Sequence, residues 1–108
     1  MDELYAKFLP QFVQLARERM QRAYETAARP DNAGLVTAIR DLHGIAGEGG
    51  LLGLSHIVPL SRDAEEAAKA VRDAGGANAD TSEFLGALDE LRAAIDAIAA
   101  TIKPKDPK

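Results

Sequence analysis

With 108 residues the chain has room for one domain, and enough of them to bury a hydrophobic core without covalent staples. It contains no cysteine, so neither a disulfide framework nor a thiolate metal site can be proposed. Thirteen Lys and Arg against seventeen Asp and Glu leave a formal charge of −4, the wrong sign for following a nucleic-acid backbone, and nucleic acid is not an expected partner.

The chain opens Met1-Asp2-Glu3-Leu4, acidic where a secretory leader would be basic, and no apolar run approaches the length of a membrane span. A cytoplasmic location without membrane contact is expected. Apolar residues then recur every three or four positions through about residue 28, with Leu4, Phe8, Phe12 and Leu15 on related faces, which predicts helix. Pro10 lacks the N–H a helix interior needs, so a short leading helix ending near residue 9 and a longer one after it are expected. Arg29-Pro30-Asp31-Asn32 reads as a turn, with Asp31 or Asn32 capping a second helix that runs to about Leu52 and stops at Gly53. Ser55 is placed to cap a third helix ending near Ala74, with Pro59 close enough to its start to be tolerated.

Ala74-Gly75-Gly76-Ala77-Asn78-Ala79 is a loop by composition, and Asp80 or Thr81 opens the last helix with Glu83 in its first turn. Phe84, Leu88, Leu91, Ile95, Ile98 and Ile102 follow at steps of four and three, a seam for packing on other helices. The expected architecture is all-α: an antiparallel up-down four-helix bundle over residues 1–102 with a short extra N-terminal helix, then a flexible tail over 103–108.

The segment from Arg40 to Gly53 places five glycines, at 44, 47, 49, 50 and 53, in what otherwise reads as helix. Each costs about 1 kcal/mol relative to alanine in a helix interior, so their concentration calls for a cause. On a helical projection Leu35, Ile39, Leu42 and Ala46 form the apolar stripe, and His43 falls at its edge. Val36, Gly47 and Gly50 share that edge and Arg40 borders it, so the imidazole would project over a shelf nearly bare of side chains. Such a shelf lets another protein's backbone approach a reactive group closely.

The spacing of His43, Gly47 and Gly53 resembles the signature of histidine-containing phosphotransfer (HPt) domains, His-x-x-Lys-Gly followed after five residues by Gly. Ala46 stands where that family usually has lysine. Gly49-Gly50 and Gly53-Leu54 are also similar to the phosphorylated domain of chemotaxis histidine kinases. The resemblance implies that His43 is a phosphoacceptor, exchanging phosphate with response-regulator receiver domains or taking it from a histidine kinase. It further implies that Glu65, aligned with a glutamate that hydrogen-bonds the imidazole in the chemotaxis kinases, orients the ring from the neighbouring helix.

A neutral imidazole is a nucleophile near neutral pH and needs no separate activated hydroxyl or thiolate, which suits that role. Phosphorylation adds nearly two negative charges that Ala46 cannot offset, which leaves Arg40 and Arg62 as the expected phosphate-binding residues. Each residue also has a plainer reading. His43 alone on a helix edge could be a packed or surface histidine, Arg40 and Arg62 could be surface ion-pair partners, and Glu65 and the adjacent Glu66 could both be solvated. His56 lacks any such setting and reads as a surface or capping residue.

The glycines follow no strand and precede no Gly-Lys-Ser or Gly-Lys-Thr, so neither a dinucleotide fingerprint nor a P-loop is present. Neither histidine has a glutamate three residues before it, as a di-metal bundle site needs. The chain is expected to bind no cofactor or metal of its own, with magnesium and ATP belonging to its partners, and to be a monomeric relay intermediate rather than an enzyme. The alternatives are a phosphorylation-incompetent module of the same fold that regulates a receiver or kinase, and a helical adaptor or dimerisation domain, which leaves the glycines unexplained.

Overall fold

The computed structural model describes residues 2–102, with side chains from Tyr5 onward. Its elements in chain order are α1 (Asp2–Ala28), α2 (Asn32–Leu51), α3 (Ile57–Asp73) and α4 (Ser82–Ala99), and no strand occurs among the described residues. Each helix packs on its neighbours in sequence and α4 closes back on α1, giving the expected four-helix bundle. No described helix is long and apolar enough to cross a membrane. The tail expected at 103–108 and the side chain of Leu4 lie outside the described residues.

Phe84, Leu35, Leu42, Ile45, Ile57, Leu88, Leu91 and Ile95 are fully buried and form the centre of the core. The seam of α4 faces inward from Phe84 through Ile98, while Ile102 packs partly buried against the core edge. Asp31 caps α2 by accepting a 2.7 Å hydrogen bond from the Gly34 N–H, which satisfies one of the free donors of the first turn. At the other end the Leu54 N–H bonds the Gly49 carbonyl at 2.8 Å and the Gly53 N–H bonds the Gly50 carbonyl at 3.1 Å. That pair of bonds needs a left-handed residue between them, and Gly53 supplies it at φ +75°.

Three expectations are corrected. The separate N-terminal helix is absent: α1 runs unbroken through Pro10. Leu9, Phe12 and Val13 are buried on either side of the proline, and this packing holds the helix together across the missing backbone bond. The buried stripe of α1 is Leu9, Phe12, Val13, Ala16, Met20, Ala23 and Ala27, which rotates Phe8 and Leu15 outward to partial exposure. Ser55 does not cap α3; His56 takes the cap position by backbone, exposed and without a side-chain bond to the helix. Thr81 takes the position that opens α4, as expected, without a side-chain bond to the helix, while Asp80 accepts from both the N–H and the hydroxyl of Ser82.

Candidate functional site

His43 lies in the middle of α2, on the strip of that helix left uncovered between α1 and α3. Its neighbours Leu42, Ile45 and Ala46 point into the bundle, and this anchoring turns the residue between them outward. The side chain of His43 is 77% exposed, so the ring stands clear of the core. Nδ1 nevertheless faces an oxygen of Glu65, Oε2, at 3.4 Å across the α2–α3 seam. That separation is long for a hydrogen bond, so the pair is a close polar contact across the seam. With Nδ1 turned toward Glu65, Nε2 is the ring nitrogen directed to solvent.

Glu65 differs from the ring in its setting, since its side chain is only 11% exposed. It belongs to the inward face of α3, in a row with Ile57, Ser61, Ala64 and Ala68. Ser61, one turn before it, is fully buried and donates a 2.7 Å hydrogen bond to the carbonyl of Leu42, the residue preceding His43. This bond ties α3 to α2 beside the imidazole of His43, where the two helices set Glu65 opposite the ring. No buried side-chain polar atom among the described residues lacks a partner.

The five glycines turn out to serve different ends. Gly47 and Gly50 are exposed, and a methyl group at Gly47 would meet nothing within 4 Å, while one at Gly50 would make only ordinary contact with Val58 at 3.8 Å. Val36 on the same helix is exposed as well, so the residues expected to form the shelf are all open to solvent. Gly49 faces the core instead: a methyl there would fall 3.0 Å from Ile57 Cγ2, so this glycine sets the close approach of α3. Gly44 lies beneath the guanidinium of Arg19, which crosses it to pair with Glu48 at 3.0 Å. Gly53 is the helix stop described above.

Beyond the shelf, Leu51 is 89% exposed, and with Phe8, Leu15, Phe12 and Leu52 it lines an apolar groove between α1 and the end of α2. Arg40 and Arg62 are exposed and make no ion pair among the described residues. The cation that pairs with Glu65 is one the sequence does not single out. Lys69 Nζ lies 3.5 Å from Glu65 Oε2, the same oxygen that faces the ring, and 3.3 Å from Glu66. A Glu-to-Lys step of four residues on one helix is its only sequence signal, and that pattern is common on solvated helix faces. The Lys69 pKa is raised, first by its bond to Glu66, then by the charges of Glu66 and Glu65. Ala46 is buried, so the place where the phosphotransfer signature carries lysine is here part of the core.

The chain matches no protein-family model, and no curated protein or solved structure is significantly similar to it.

Proposed function

We propose that this protein is a histidine phosphotransfer domain, carrying a phosphoryl group on Nε2 of His43 between partner proteins. The observation that carries this reading is the pairing of an exposed ring with a mostly buried carboxylate at 3.4 Å, in the middle of a helix whose surrounding surface is bare. A histidine held only for packing would be covered, and one held only for solubility would not have a largely desolvated acid aimed at one nitrogen.

The chemistry follows from that arrangement. An ionised carboxylate accepts hydrogen bonds and cannot donate them, so Glu65 favours the tautomer with its proton on Nδ1 and leaves the lone pair on Nε2. That pair attacks the phosphorus of an aspartyl phosphate on a receiver domain. The N–P bond forms as the P–O bond to the aspartate breaks, and the electrons of the broken bond leave on the aspartate carboxylate. The ring retains its Nδ1 proton and takes up positive charge, which Glu65 faces and stabilises. The reverse sequence delivers the group to a second receiver, and transfer from a histidine kinase forms the same N–P bond. Magnesium for receiver chemistry belongs to the partner, and a cytoplasmic setting accords with such partners.

The shelf at Val36, Gly47 and Gly50 and the groove at Phe8, Leu15 and Leu51 support the reading as a docking face, since apolar and flat surface beside a reactive group is what a second protein can cover. The second reading, a module that docks on a receiver or kinase without being phosphorylated, is favoured by the buried alanine at position 46. Incubation with a phosphorylated receiver, or with a kinase and ATP, separates the two. Acid-labile, base-stable phosphate that disappears in His43→Gln is expected. Binding without labelling would transfer support to the second reading, and neither binding nor labelling would remove both.

A further inference from the structure

A phosphoryl group on His43 would stand beside a carboxylate, so the site needs a compensating cation more than a site built without Glu65 would. Position 46 does not supply one, because Ala46 faces the core. Arg19 is engaged with Glu48 and Arg22 with Asp41 along the α1–α2 seam. Lys69 approaches from the opposite side, on α3, one turn beyond Glu65. Its contact and that of the ring fall on the same carboxylate oxygen, which bounds the separation of Nζ from Nδ1 at about 7 Å, well inside the range where charges interact through solvent. Its side chain is only partly exposed, and its partners Glu65 and Glu66 already hold the ammonium on this face.

We propose that Lys69 is the phosphate-binding cation of this site, moving from the carboxylates of Glu65 and Glu66 onto the phosphoryl oxygens when His43 is modified. This rests on the phosphotransfer reading and assigns the missing charge to a different helix from the one that carries the histidine. The lysine stem has four rotatable carbons, and a shift of a few ångströms takes its ammonium from the Glu65 oxygen to a group on the outer ring nitrogen. In the unmodified protein Lys69 neutralises Glu65 and lowers the repulsion an incoming phosphate dianion meets. In the modified protein it forms a charge-assisted hydrogen bond to that dianion. Both effects favour the phosphorylated state, and neither touches the fold.

The test uses the full chain with phosphoramidate, a small donor that needs no docking surface, and in parallel with a phosphorylated receiver. Lys69→Gln is expected to label at His43 about five- to tenfold more slowly from either donor, with the difference shrinking as salt is raised. Lys69→Arg is expected to restore most of the rate. Arg17→Gln, which removes an equal charge from the α1–α4 face where Arg17 pairs with Asp96, is expected to label as the parent does. Parent protein that takes no label from either donor overturns the phosphotransfer reading and this assignment with it. Parent protein labelled on His43 while Lys69→Gln keeps the parental rate overturns the assignment alone. A loss that arginine fails to restore, or one that Arg17→Gln reproduces, overturns it too.

Discussion

Gly47 and Gly49 are two residues apart on one helix, and the same substitution at each is expected to move stability in opposite directions. At Gly47 the added methyl enters open space, so Gly47→Ala keeps only the gain from restricting the unfolded chain and favouring helix. Four residues from the end of α2, that gain is about 0.5–1 kcal/mol, a rise in melting temperature of about 2–6 °C for a domain of this size. At Gly49 the methyl would sit 3.0 Å from Cγ2 and 3.5 Å from Cβ of Ile57, which is fully buried and has no room to withdraw. The helices must separate by a few tenths of an ångström, and Gly49→Ala is expected to be destabilising by about 1–2 kcal/mol net of its helix propensity. Thermal unfolding followed by far-UV circular dichroism reads both. Gly47→Leu extends the comparison to function: its side chain would stand on the shelf beside His43, slowing transfer from a phosphorylated receiver about tenfold or more while leaving labelling by phosphoramidate unchanged. If Gly47→Ala melts below the parent, the surface around the ring is not the open one described. If Gly47→Leu accepts phosphate from a receiver at the parental rate, partners do not use it.

Ser61→Ala removes the buried bond to the Leu42 carbonyl and is expected to lower the urea midpoint by an amount equivalent to about 1–2 kcal/mol, and to slow labelling of His43 because Glu65 loses its register. An unchanged midpoint would show that the bond contributes nothing net. Gly53→Ala forces an alanine to φ +75° and should cost about 1–2 kcal/mol by the same measurement, although its methyl would touch nothing within 4 Å. Tyr24 is expected to make stability fall at alkaline pH. Burial first, and then the bond to Asp89, push its pKa from 10.0 up to about 12, so the folded state holds a proton the unfolded chain releases. The contribution is complete below pH 10.0 and is lost as the pH rises toward about 12. Tyr24→Phe should flatten that part of the profile, and a parental slope in the variant would assign the loss to other groups.

How much of this was legible in the sequence depends on whether the signal was local. The α4 seam was, because apolar residues at steps of three and four have one inward solution once three other helices are present, and Phe84 through Ile98 are all buried. The edge position of His43 followed in the same way from Leu42 and Ala46. The break expected at Pro10 does not occur because tertiary packing of Leu9, Phe12 and Val13 outweighs the backbone rule that holds for isolated helices. Spacing groups Phe8 and Leu15 with Phe12, whereas the inward stripe of α1 runs through Leu9, Phe12, Val13 and Ala16 and leaves both at its rim. Within the site, Glu65 was found through resemblance and not through pattern, with Glu66 as an equal competitor by composition. Only the packing of α3 on α2 distinguishes them: Glu65 is buried against the seam and Glu66 is exposed. Ser61 and Lys69 gave no sign alone, since a serine and a lysine within a helix are ordinary until the opposite helix supplies a carbonyl for one and an imidazole near the other.

His43, Ser61, Glu65 and Lys69 all belong to the single hairpin formed by α2 and α3, and neither α1 nor α4 contributes to that cluster. Phe8 and Leu15, by contrast, come from α1. Under the phosphotransfer proposal, the acceptor ring and the α1 side of the apolar groove thus sit on different elements of the bundle. If that proposal holds, exchanging the outward residues of α1 would change which surface a partner meets without altering any member of the His43–Glu65–Lys69 cluster.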